Sequence, residues 1–213
     1  MTTPIHTRNE LLAQKLMKNL TRRHFESHFC HNASEAIELV QRLMPEGSSV
    51  TWGGSMTVRD MGLTRAIGQS GRYVVYDRDL VSNEEEKRQC YLKAFDCDYY
   101  LTSANALSAD GVLVNIDGRG NRVAAMTWGP RHVIIVVGIN KVEATLEAAL
   151  TRARNTAAPI NAARMQLDTP CTRDGLCHNC NSEHSICNYV HFMRNSFPAG
   201  RHIVILVDEP LGY

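Results

Sequence analysis

Residues 132–138, HVIIVVG, form an unbroken apolar run, rich in β-branched side chains, that follows Pro130 and ends on glycine. A strand with one buried face alternates apolar and polar residues, whereas a run without alternation belongs where both faces are covered, as in a parallel sheet lying between helices. The run closes a longer stretch, residues 99–138, that reads as three or four strands. Its turns gather Ser103, Asn105, Asp110, Asn115, Asp117, Asn121 and Arg122.

The flanking sequence supplies the helices. Leu11, Leu12, Leu16 and Leu20 give residues 8–20 an apolar stripe at helical spacing, and an extended piece follows around residues 25–29. Asn32 and Glu35 form a capping pattern ahead of Ala36, Leu39, Val40 and Leu43, with Pro45 as the stop. Residues 49–52, SVTW, read as a buried strand running into Gly53-Gly54-Ser55, after which Thr57 is expected to cap a helix reaching Ile67. YVVYD at 73–77 is a further strand, and Ser82 with Glu85 is expected to cap a helix through Phe95.

Residues 98–102 form the next strand, and GVLVNID with NRVAAMTW, joined by Gly118, Arg119 and Gly120, reads as a hairpin. Asn140 and Glu143 are expected to cap a helix through Ala153, and Pro159 to begin another. NYVHFMR and HIVILVD read as strands that rejoin the sheet or pair together, and Trp52 and Trp128 as core or pocket wall. The fold class is therefore α/β: a Rossmann-like, mostly parallel sheet flanked by helices, with a mixed or antiparallel hairpin portion. One domain is expected over residues 1–213, with an N-terminal helical segment at 1–30 and a cysteine-rich insertion at 168–190.

Charge is nearly balanced, with 23 Lys and Arg against 22 Asp and Glu, which argues against nucleic acid or an anionic membrane surface as partner. The sequence shows neither a leader pattern nor 18 consecutive apolar residues, so a cytoplasmic location is expected. Seven cysteines, an odd number, suit reduced thiols better than a disulfide framework. A Gly-x-Gly-x-x-Gly fingerprint for NAD or FAD is absent.

Two sets of residues carry chemistry. A glycine turn between strand and helix points backbone N–H groups at an anion, which makes Gly53, Gly54 and Ser55 candidate binding residues. Ligands of α/β sheets lie beyond the carboxyl ends of the strands, so Ser103 and Asn105 should face the same crevice. There Arg122 could grip a carboxylate or phosphate, Asn105, Asn115 and Asn121 could orient polar groups, and Asp110 or Asp117 could move a proton. Taken singly, Asp117-Gly118 and Asn121 also suit a plain turn. The second set is Cys171-x5-Cys177-x2-Cys180-x6-Cys187. Four thiolates in a short loop could hold an iron–sulfur cluster or, second in order, zinc; reduced thiols without metal are the alternative.

Residues 102–125, TSANALSADGVLVNIDGRGNRVAA, with Asn105-Ala106, Asp110-Gly111, Asn115, Asp117-Gly118 and Gly120-Asn121-Arg122, resemble the LUD domain family of lactate utilization proteins. Trp52-Gly53-Gly54-Ser55 and Thr169-Pro170-Cys171 extend the resemblance over most of the chain. It implies a fold like that of ribose-5-phosphate isomerase, glucosamine-6-phosphate deaminase and CoA transferases. It also implies a small anionic metabolite held between the Gly53 turn and residues 105–122, and a part in oxidising L-lactate or a related organic acid with iron–sulfur or oxidoreductase partner subunits. A homo-oligomer is compatible with it. Two departures stand out. The ferredoxin-type cysteine runs of larger members are missing, and Ser103-Ala104-Asn105-Ala106 lacks the glutamate nucleophile of CoA transferases. A non-redox enzyme acting on a phosphosugar or CoA ester, or a metabolite sensor, are the rival readings.

Overall fold

The computed structural model describes residues 3–213; the first two residues of the expected N-terminal segment lie outside it. Helix α1 (Pro4–Arg22) leads into strand β1 (Glu26–Cys30), helix α2 (Ala33–Leu43) and strand β2 (Ser49–Trp52). The Asn32 side chain accepts the Glu35 amide at 2.9 Å and Glu35 accepts the His31 amide at 2.8 Å, the reciprocal cap that the sequence anticipates. Helices α3 (Met56–Asp60) and α4 (Leu63–Gln69) follow, then strand β3 (Val74–Tyr76), helix α5 (Glu84–Lys93) and strand β4 (Tyr99–Thr102). Three short elements come next: β5 (Ala106–Ser108), β6 (Leu113–Asp117) and helix α6 (Asn121–Thr127).

Strand β7 (His132–Gly138) ends in a 3₁₀ turn, Ile139–Lys141, before β8 (Val142–Glu143) and helix α7 (Leu146–Arg152). A π turn at Ala153–Ala157 carries the chain into α8 (Ala158–Arg164), and α9 (Cys171–Asp174), β9 (Tyr189–Met193) and β10 (His202–Val207) complete it.

The central sheet has six parallel strands in the order β1-β10-β7-β4-β2-β3. Its middle shows why β7 has no polar alternation. Val133, Ile135 and Val137 pack on one face with Leu16 and Leu20 of α1, while Ile134 and Val136 pack on the other with Val40, Leu63 and Ile67. Strand β10 divides in the same way, with Val204 and Leu206 on one side and Ile203, Ile205 and Val207 on the other. A second sheet, β8-β5-β6-β9, is mixed: β6 runs antiparallel to β5 and β9, and β8 runs parallel to β5. Ala106, Val114 and Ile116 of this sheet pack on Ala149 and Ala153.

Several local expectations change. NRVAAMT is helix α6, not the second arm of a hairpin, because Gly120 at φ +80° turns the chain and the Asp117 carboxylate accepts the Val123 amide at 3.1 Å. The antiparallel partners of β6 are β5 and β9 instead. Thr57 is not a cap: it lies inside α3, and Gly62 at φ +85° separates α3 from α4. Asn83, one residue beyond Ser82, caps α5, which ends at Lys93. Thr145 caps α7, since residues 142–143 leave to join the second sheet. The C-terminal strands do not pair with each other: β9 joins the second sheet and β10 the central one. Trp52 is buried, but Trp128, just past the end of α6, is exposed.

Candidate functional site

A cavity of about 560 Å³ opens at the carboxyl ends of β2 and β4 and reaches the 3₁₀ turn after β7. The topology explains the place. After β4 the chain leaves the central sheet through Ser103, Ala104 and Asn105 to start the second sheet, so polar backbone and side chains collect where the two sheets part. Gly54 and Ser55 form one wall together with Met56 and Thr57, and Ser103, Asn105, Asp117, Asn121 and Arg122 form another. Glu183, His184, Ser185, Ile186 and Asn188, from the cysteine-rich segment, complete the rim. The cysteine-rich segment thus borders the cavity through residues 183–186 and 188, while none of its four cysteines is among the lining residues.

Gly53 lies just behind the wall, where a Cβ would stand 2.6 Å from the Tyr100 hydroxyl, so the close approach of turn and ring requires glycine. Above Gly54 sits the Arg78 guanidinium, whose Nη1 donates to the Tyr91 hydroxyl at 2.9 Å. Asn115 is fully buried beneath the cavity; its Oδ1 accepts from Arg122 and its Nδ2 has no partner.

Arg122 is already engaged. Its Nη1 donates to Ser103 O at 3.2 Å and Asn115 Oδ1 at 3.0 Å, and its Nη2 to Asn105 Oδ1 at 2.9 Å and Ile116 O at 2.7 Å. Asp117 stands 3.7 Å from its Nε. The guanidinium therefore holds the platform together and presents charge to the cavity rather than an open fork. Asp117 divides its carboxylate between this pair and the Val123 amide.

Asp110 does not reach the cavity. It lies at the far turn of the β5–β6 pair, half-exposed, where it bonds Arg23 at 2.8 Å and accepts from Ser108.

Lys141 was not among the residues that the sequence pointed to. It is 2% exposed and lines the cavity, its ammonium donating to Thr57 Oγ1 at 2.7 Å, Ser103 Oγ at 3.3 Å and Ala104 O at 3.3 Å. Burial, then the charges of Arg152 and Arg122, lower its pKa to about 7. The available signal was position: it follows an unbroken buried strand, at the sheet end where ligands bind. Arg78, Arg119 and Arg164 also line the cavity, so four arginines and Lys141 stand against two carboxylates, Asp117 and Glu183.

The cysteine segment is built differently. After α9, residues 175–188 carry no regular element, and all four cysteines are free thiols. Cys187 keeps solvent access, yet the protein crowding its sulfur, followed by repulsion from Cys177, Cys171 and Cys180, pushes its thiol up to about 11. Mutual repulsion among thiolates is what a soft cation relieves, so the donor set suits zinc or an iron–sulfur cluster in its chemistry. Among the described residues, however, no three His, Cys, Asp or Glu side chains are grouped to hold a metal. Binding one would require the loop to tighten. Within the same residues no helix is long and apolar enough to cross a membrane.

The model of the LUD domain family matches residues 13–207. Among solved structures, a DUF162 family protein from Deinococcus radiodurans superposes with a TM-score of 0.53 at 11% identity, over 93% of this chain and 97% of that one. That likeness shows the shared fold. The delta subunit of eIF2B from Chaetomium thermophilum aligns over 66% of this chain and 54% of its own, with a TM-score of 0.35 at 15% identity. No curated protein matches the sequence.

Proposed function

The chain belongs to the LUD domain family, associated with lactate utilization, and on that premise we propose that its cavity binds a small organic acid during the oxidation of L-lactate or a related acid. One observation carries this reading: a cavity of about 560 Å³, sized for a metabolite, in which Arg78, Arg119, Arg122, Arg164 and Lys141 outnumber Asp117 and Glu183. An anion entering it replaces lost hydration with charge-assisted hydrogen bonds. Proton exchange with a bound ligand is assigned here to Asp117, which lines the cavity beside Arg122; Asp110 is too remote for that role.

Oxidising a hydroxy acid releases electrons that need an acceptor, and the sequence carries no Gly-x-Gly-x-x-Gly fingerprint for a nicotinamide or flavin nucleotide. We assign that task to an iron–sulfur partner subunit or to a centre held by Cys171, Cys177, Cys180 and Cys187. An iron–sulfur cluster there would supply electron transfer, whereas zinc would staple the loop.

The test combines metal and sulfide analysis of protein purified without oxygen with assays of pyruvate formation from L-lactate, using an artificial electron acceptor. Iron, sulfide and lactate-dependent reduction support the reading. Acid binding without turnover would favour a sensor, and turnover of a phosphosugar without electron transfer would favour a non-redox enzyme.

A further inference from the structure

Lys141 is a buried cation with only neutral partners: two hydroxyls, from Thr57 and Ser103, and the Ala104 carbonyl. The charged groups around it come from four elements. Arg122 of α6 and Arg152 of α7 repel its ammonium, and the nearby carboxylates are committed to them, Asp117 of β6 at 3.7 Å from Arg122 and Glu143 of β8 at 4.0 Å from Arg152. Thr57 of α3 and the Ser103–Ala104 link after β4 bring no charge of their own. A desolvated ammonium without a carboxylate is unfavourable unless something entering the cavity supplies the missing negative charge. The cavity it lines admits such a group.

We propose that Lys141 receives the carboxylate of the bound organic acid and takes up a proton as it does so, an inference that rests on the organic-acid reading above. The amine is neutral in a large share of free molecules near neutral pH, since burial and the two arginines hold its pKa near 7. A hydroxyl can accept from the ammonium and donate to the neutral amine, so Thr57 and Ser103 can accommodate both forms, and the carboxylate takes the donor that the longer bond to Ser103, at 3.3 Å, releases. An anion beside the nitrogen stabilises the charged form, and by linkage the free amine then binds a proton from solvent as the ligand binds. Affinity should fall as pH rises: with a bound-state pKa restored toward that of an ordinary lysine, the loss between pH 7 and pH 9 is on the order of tens of fold.

The experiment is calorimetric titration of the full chain with pyruvate, L-lactate and sulfate near pH 8, in two buffers of different ionisation heat, alongside Lys141→Met. These probes carry no titrating group in that range, so every proton taken up belongs to the protein; sulfate stands in for a phosphate group. Expected are uptake approaching one proton per pyruvate or lactate, weaker binding of sulfate, and a loss of at least about tenfold in affinity, with loss of the uptake, in Lys141→Met. Binding to the wild-type chain without proton uptake overturns the inference whatever the variant does, and leaves the organic-acid reading standing. Unchanged affinity in a folded Lys141→Met overturns it equally. Tighter binding of sulfate than of either acid moves the ligand class to phosphate and overturns the carboxylate assignment. If neither pyruvate, lactate nor sulfate binds at all, the organic-acid reading fails first and the inference with it.

Discussion

The cavity and the cysteine loop share a rim yet are built in opposite ways. Around the cavity, two arginine side chains tie several elements together: Arg122 binds Ser103, Asn105, Asn115 and Ile116, and Arg152 donates to Asn105 O at 2.7 Å and Asn140 O at 3.0 Å. In residues 175–188 most polar contacts are local, such as the Leu176 amide to Asp174, the His184 amide to Ser182 and the Cys187 amide to Ser185. A few anchors reach outward, among them Arg154 to Asn179 and Asn188 to Gly118 O. One region holds its geometry without help. The other is held mainly by contacts between near neighbours, so a cation bound there, as proposed above, would add to its stability.

Arg122 gives the hardest test of that contrast. Replacing it with Met removes four hydrogen bonds and leaves Asp117 without its cationic neighbour, so urea unfolding should show a loss of about 3–5 kcal/mol. A loss below about 1 kcal/mol would mean that the platform is not locked by this residue.

Alkaline titration separates the regions by sign. Lys141 has a folded pKa near 7 and an unfolded one near 10.4, so between these values the unfolded chain holds a proton the folded chain has lost, and stability from this group rises with pH. Cys187 is raised to about 11, so between its unfolded value and 11 the folded chain holds the extra proton, and its contribution falls as pH rises. Comparing wild type with Lys141→Met should reveal a difference of up to about 4 kcal/mol across pH 7–10.5. Cys187→Ser should change the slope in the opposite sense and by less, because that thiol is exposed to solvent.

Cys180→Ala should change the stability of metal-free protein by under about 0.5 kcal/mol while weakening metal retention at least about tenfold. Equal retention would remove Cys180 from the ligand set. The smallest effect on the cavity is expected from Asp110→Asn, which loses a half-exposed pair with Arg23: under about 1 kcal/mol in stability, and unchanged binding of pyruvate by calorimetry. A defect in binding there would tie the far turn of β5–β6 to the cavity after all.

Much of the framework could be read along the chain because its causes are local. The apolar run at 132–138 is a strand buried on both faces, Asn32 and Glu35 cap α2, and the glycines at 53 and 54 follow a strand into a helix. Where the reading failed, the outcome was decided by a backbone turn or a strand pairing that residue type alone does not specify. NRVAAMT suits a short strand or a short helix equally, and the choice falls to helix once Gly120 adopts positive φ and Asp117 accepts the Val123 amide. Asn140 and Glu143 resemble a cap, but residues 142–143 are drawn into β8 by pairing with β5, so the helix begins later, at Thr145.

The sequence by itself determined the layered α/β plan, the polar glycine-rich turns and the clustering of four cysteines, because strand burial, capping and turn formation depend on neighbours within a few residues. Only the tertiary structure decided which polar groups share a cavity. Strand order puts β2, β4 and β7 side by side, which brings Thr57, Ser103 and Lys141 within hydrogen-bonding distance across 84 residues of chain. The β5–β6 reversal carries Asp110 away from Asp117, though only a few residues separate them in sequence. Burial without a carboxylate partner on the wall of the cavity, the combination that marks Lys141, is a relation among several elements, and no stretch of the chain encodes it alone.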